Sequence, residues 1–227
     1  MLRIASLLVC IALFVPASTA RADGLLYQLP NDGDSAHFDV KITNRNGNTN
    51  MVGVTMRSVG KVMDTPGSRW LEFKLPMEGS TQVLKVLIPE KHLKEGESPM
   101  DHVIRGWLKR GDDPTIGLTQ LRHFWLLLLL AGPLSDVKEL EPQSLDTPFG
   151  KLDCTGLTGR ASVREDNGYE EDLTYTIRRH EKAPFGVVSC TIDCVVSKDG
   201  KRQGTSKFEL KLTEVAKGVT SELRGFE

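Results

Sequence analysis

The sequence carries almost no excess of either charge: 29 basic residues face 30 acidic ones across 227 positions, a net of −1. A chain so balanced has no electrostatic footprint for nucleic acid or for an anionic membrane surface. Nucleotide motifs are missing too: neither G-x-G-x-x-G nor a Walker A loop occurs. No G-x-S-x-G elbow presents a strained serine. The five histidines, His37, His92, His102, His123 and His180, form no H-E-x-x-H and no pair at metal-ligand spacing. Asp101 and His102 are neighbours, but adjacent residues of a helix point apart. Asn31-Asp32-Gly33-Asp34 lacks the downstream bidentate acid of a calcium loop and reads as a turn. No cofactor and no metal are therefore expected. No internal repeat is visible, and no apolar run reaches the ~20 residues of a spanning helix.

What is present begins with a leader. Met1-Leu2-Arg3 precedes an apolar run over residues 4–15 and a stretch of small residues ending Ala20-Arg21-Ala22. That is a basic start, an apolar core and an A-x-A exit, the pattern of a secretory signal cleaved after about Ala22. Cys10 lies inside the apolar run behind Val9, not at the exit, so a lipoprotein signal is rejected. Cleavage removes Arg3 and Arg21 and leaves 27 basic residues against 30 acidic, a net of −3. The expected location is the periplasm or the exterior. The roughly 200 remaining residues suit one core, read as a single domain over 23–216 with a polar tail, 217–227, that frays.

Three cysteines stay in the mature chain: Cys154, Cys190 and Cys194. Cys190 and Cys194 sit four apart in a strand pattern, ~13 Å between Cα atoms, too far to bond. Cys154 with one of them is the candidate disulfide. The alternative is three small buried hydrophobes.

Strand signals dominate. Phe38, Val40 and Ile42 alternate with polar neighbours, as do Val52, Val54 and Met56, then Leu71, Phe73 and Leu75. The stretch from Val83 to Ile88 is apolar apart from Lys85 and ends at Pro89. Four strands joined by short turns predict an antiparallel meander. Residues 135–149 read as a polar linker and 150–161 as a strand pair. Leu173, Tyr175 and Ile177 alternate again, followed by a long strand from Val187 to Val196. Asp199-Gly200 is a two-residue hairpin signal, and Phe208, Leu210 and Leu212 form the last strand.

Between the two sets the period changes. Ser98-Pro99-Met100-Asp101 looks like a helix start, and Met100, Val103, Ile104, Trp107 and Leu108 follow at helical spacing, predicting a helix over 99–110. Asp113-Pro114 opens a second, over 114–131, whose latter half (124–131) is apolar all round and needs cover on every side. The predicted fold is α+β, mainly β: one large curved antiparallel sheet, a half-barrel, wrapped around two helices in an insert at about 97–131.

That order of elements resembles the LolA/LolB-like fold of bacterial lipoprotein carriers. The resemblance is carried by the meander over 38–88, the helices over 99–110 and 114–131, and the strands over 169–213. Short stretches (Ile88-Pro89-Glu90-Lys91, Arg105-Gly106-Trp107 and Ala183-Pro184-Phe185-Gly186) look like secreted bacterial proteins of unassigned activity. The resemblance implies a non-enzymatic envelope protein that shelters a lipid or lipoprotein acyl chain. Phe124, Trp125 and Leu128 of the insert, with Trp107, Phe73 and Phe208, are the candidate cavity lining. Two other classes stay open: a module that grips another envelope protein by a sheet edge, and a secreted hydrolase assembled from dispersed residues.

Overall fold

The structure, a computed structural model, describes Gly24 and residues 26–28, 30–61, 65–77, 79–92, 97–118, 133–164 and 168–225. Alternating apolar side chains build eleven strands: β1 (Ser35–Thr43), β2 (Thr49–Lys61), β3 (Ser68–Met77), β4 (Ser80–Pro89), β5 (Arg105–Arg110), β6 (Ile116–Gly117), β7 (Ser135–Thr147), β8 (Gly150–Arg164), β9 (Tyr169–Arg179), β10 (Val187–Lys198) and β11 (Lys201–Ala216). They form one antiparallel sheet in the order β6-β5-β4-β3-β2-β1-β11-β10-β9-β8-β7. Two meanders, β1–β6 and β7–β11, are thus spliced where β1 pairs with β11, with Phe38 opposite Leu212 and Val40 opposite Leu210. The Asp199-Gly200 hairpin forms as its sequence predicts. Both residues adopt positive φ, 49° and 75°, and Lys198 pairs with Lys201 across them.

One face of this sheet is apolar on nearly every strand. Phe38, Met56, Phe73 and Leu84 from the first meander pack in one cluster with Tyr175, Ile177, Ile192 and Leu210 from the second. The cluster therefore runs across the splice, from β4 to β9, as one continuous apolar face. Each such large side chain contributes about 1.5–3 kcal/mol on burial. That order leaves β6 and β7 as the two free edges.

The expected half-barrel wrapped around two helices is replaced by a single eleven-stranded antiparallel sheet. No α-helix occurs among the described residues; the only helical elements there are two 3-10 turns, Glu90–His92 and Pro99–His102. The helix expected over 99–110 is one such turn, left at an extended Val103 (φ −63°, ψ 121°), followed by strand β5. The spacing from Met100 to Leu108 fits both periods. Gly106 weakens a helix, and pairing of Leu84 with Leu108 satisfies the backbone of β4, so tertiary pairing overrides the helical stripe. Of the second expected helix, residues 114–118 contain β6; the rest, with Phe124, Trp125 and Leu128, lies outside the described residues. The stretch read as a linker is the edge strand β7, whose polar residues hid its period because most of its positions face water. The expected strand pair over 150–161 is a single strand, β8.

The outer face of β3 and β4 carries a second, smaller layer. Trp70, Val83, Leu87 and Leu223 are buried yet stand apart from the main cluster. Leu223 belongs to the segment expected to fray, and a buried carboxylate holds it down. Glu72, 0% exposed, accepts hydrogen bonds from the Ser221 hydroxyl (2.7 Å), the Glu222 amide (3.1 Å) and the Leu223 amide (3.4 Å). Arg57 binds both Glu72 (3.1 Å) and Glu222 (2.5 Å). Lys85, opposite Glu72 in the register, donates to the Leu223 carbonyl at 3.1 Å and stands 4.9 Å over the Trp70 ring. Removing one member of a buried charge network leaves the others uncompensated, at about 3–5 kcal/mol. Glu72→Ala is expected to lower unfolding stability by about that amount. Amide exchange at Glu222 and Leu223 will accelerate before the rest of the chain opens. Protection at those amides equal to wild type would show that the carboxylate does not hold the tail.

Candidate functional site

The most distinctive local geometry lies along the open edge, where β7 pairs with β8. The register skips twice, between Ser135 and Lys138 and between Leu140 and Gln143. Each skip sets two residues of β7, Asp136-Val137 and Glu141-Pro142, against one of β8, which defines a β-bulge. Asp136 takes a positive φ of 52°. Pro142 has no amide to donate and is tolerated because it sits in a bulge. A bulge splays its strand away from the partner, and each here opens a cleft. The first, of about 370 Å³, is bounded by Asp136, Val137, Gly159 and Thr174. The second, of about 450 Å³, is bounded by Tyr27, Leu140, Pro142, Leu157 and Arg179.

Two glycines of β8 floor this edge. A Cβ on Gly159 would lie 2.9 Å from the Leu134 side chain, and one on Gly156 would lie 2.5 Å from Nη1 of Arg178. Arg178 crosses Gly156 and donates to the Glu141 carbonyl at 2.6 Å. The guanidinium thereby satisfies an acceptor of the second bulge and ties β9 to the edge strand across β8. Its neighbour Arg179, 5% exposed, turns the other way and stacks on Tyr27, the guanidinium carbon 3.8 Å from the ring centroid. Tyr27 is fixed in turn through its amide, which donates to the Phe185 carbonyl at 3.2 Å. The second cleft thus sets Leu140, Pro142 and Leu157 beside the polar lining of Glu139, Glu141 and Thr155 and a buried cation, Arg179.

Of the sequence-predicted lining residues, Phe124, Trp125 and Leu128 lie outside the described residues, and the other three lie within them. Phe73 and Phe208 lie in the main cluster, both almost fully buried. Trp107 is opposite Lys85 on β5, so it faces the other side of the sheet, and its ring packs 3.2 Å from the position of a Gly117 Cβ. Tyr27, Leu140 and Arg179 were not singled out from the sequence. The available signal was Arg178-Arg179 at the end of an otherwise alternating strand, opposite glycines that only register identifies.

The three thiols are free and buried. Cys190 faces Ile177 and, one strand further, Leu157. Cys154 therefore lies two strands away, ~9.6 Å, and three residues along, beyond disulfide reach. Burial pushes the Cys190 thiol up to about 12, only partly offset by Arg179. Burial likewise raises Cys154 and Cys194.

No protein-family model matches the sequence, and no curated protein does. A Bacteroides fragilis NCTC 9343 protein described as exported and of YmcC-like fold is 9% identical, at a TM-score of 0.40, over 84% of this chain and 99% of that one. A DUF1329 family protein from Desulfovibrio piger ATCC 29098 is 11% identical, at 0.37, over 87% of this chain and 90% of that one. A Parabacteroides distasonis ATCC 8503 protein described as a lipoprotein is 11% identical, at 0.38, over 87% and 99% respectively.

Two outcomes follow. Gly156→Ala will displace Arg178 from the Glu141 carbonyl and cost about 1.5–3 kcal/mol, the worth of a hydrogen bond to a charged group. Faster exchange confined to β7 and β8 amides checks it; unchanged edge protection counts against the tie. The raised thiols add an alkaline effect. The native state keeps protons that the unfolded chain releases above pH 9, so this stability is full below pH 9 and is lost as pH rises toward about 12. Urea unfolding at increasing pH reads it, and Cys190→Ala should flatten the decline.

Proposed function

We propose that the protein is an exported, non-enzymatic binding protein of the bacterial cell envelope that shelters one apolar chain, a lipid or lipoprotein acyl group, at the open side of its sheet. The observation that carries this reading is the second bulge cleft. Its volume of about 450 Å³ falls within the range of ligand pockets, about 300–1,000 Å³, and three apolar side chains line it among the polar groups of Glu139, Glu141, Thr155 and Arg179. Leu140, Pro142 and Leu157 supply surface for a hydrocarbon chain. Arg179, stacked on Tyr27, supplies a positive group for an ester or carboxylate end. The leader over residues 1–22 supports export to the periplasm or beyond. The unclosed sheet supports the carrier-like reading, and acyl chains are the ligand class that reading names.

A second reading is favoured by the exposure of β7 along most of its length: an envelope protein could add a strand there. Asp136, Lys138, Glu139, Glu141 and Asp146, with Pro142 and the two bulges, work against it, because charges, proline and bulges are what blunt an edge against pairing.

Native mass spectrometry of the protein purified from its own envelope separates the two. The expected result is an adduct of lipid mass, released by organic extraction, and reduced in Leu140→Glu while the fold is retained. A clean apo mass with an empty extract would sink the lipid reading. In-cell crosslinking from β7 to a single partner would then favour the edge.

A further inference from the structure

At the opposite edge of the sheet, β4 runs into the 3-10 turn Glu90–His92, and the turn Pro99–His102 leads on toward β5. The two turns bring His92 and His102 face to face. Their ring centroids are 3.6 Å apart and their planes differ by 8°. One carboxylate oxygen serves both rings: Glu97 Oε2 is hydrogen-bonded to His92 Nδ1 and lies 4.0 Å from His102 Nε2. The three donor atoms all fall within 4.8 Å of one another.

We propose that His92, Glu97 and His102 form a binding site for a divalent transition-metal ion of the zinc class. Two imidazole nitrogens and one carboxylate oxygen are the donor set of open zinc sites, with a fourth position left for water. Bonds of about 2.0–2.1 Å place tetrahedral ligands about 3.3 Å apart. The rings stack with nearly parallel planes, and imidazole lone pairs lie in those planes, so the ion enters when the rings turn about their Cβ–Cγ bonds to aim Nδ1 of His92 and Nε2 of His102 at one point. The ligands are already gathered. Pro99 fixes the start of the second turn, and Met100 beside it is anchored in the main core. His92 and Glu97 are half-buried and His102 is exposed, which shields the site on one side and leaves it open to water on the other. The set stands on residues separate from the β7–β8 clefts, so it is independent of the lipid reading.

A hydrogen-bonded Glu97–His92 pair with a stacked His102 would have the same geometry and no affinity for metal. Titration of the purified, chelator-treated chain with zinc, followed by calorimetry, distinguishes them. The expected result is one ion per chain, weakened at least about tenfold in His102→Ala and in Glu97→Gln and lost in His92→Ala/His102→Ala. His180→Ala should bind as wild type. Glu97→Gln keeps the shape of the side chain, so a fold defect does not mimic the loss. Cobalt(II) gives a second readout: visible bands of a nitrogen–oxygen site with no thiolate charge transfer. The proposal is overturned by any of three results: no stoichiometric binding, binding that survives in the double variant, or a thiolate signature.

Discussion

Strand β1 is hydrogen-bonded to β2 on one side and to β11 on the other, and that second pairing joins segments some 170 residues apart in sequence. Without it the chain would be two meanders, each with one apolar face bare to water. With it, Phe38 and Phe73 share a core with Tyr175 and Leu210, and that burial holds the two meanders together. The same splice moves the free edges from the chain's ends to its middle, at β6 and β7. Loop-closure entropy must be met before so distant a pairing gains anything, which favours slow folding.

The sheet leaves its outer face to be managed separately. Over most strands the outward residues are polar and solvated, as an antiparallel sheet allows. Over β3 and β4 they are not. There the terminal segment covers Trp70 and Leu87, and Glu72 supplies acceptors for backbone amides that no strand partner takes. A buried carboxylate is costly alone; here Arg57 and the opposing Lys85 supply the compensating charge. Fold and tail are therefore one cooperative unit on that face.

At the free edges the constraint is different. An exposed strand is a template for aggregation, and β7 meets this with charge, proline and two bulges. The bulges that blunt the edge also open the clefts beside it. Gly156 and Gly159 keep the floor low enough for Arg178 and Leu134 to reach across. At the other edge the turns after β4 gather His92, Glu97 and His102.

Alternation alone determined most strands. Phe38-Val40-Ile42, Leu71-Phe73-Leu75 and Leu173-Tyr175-Ile177 each put apolar groups on one side of a pleat, and Asp199-Gly200 dictated its turn. Three things were decided only by tertiary structure. Met100 to Leu108 fits a helix and a strand equally well, and the unpaired backbone of β4 chose the strand. Residues 135–147 have no apolar face to read, because an edge strand over water needs none. His92 and His102 are ten apart, a spacing that means nothing until two turns stack their rings. Periodicity reports which side of an element is dry; it does not report register, which brings Arg178 over Gly156, nor the turn packing that sets one carboxylate beside two stacked imidazoles.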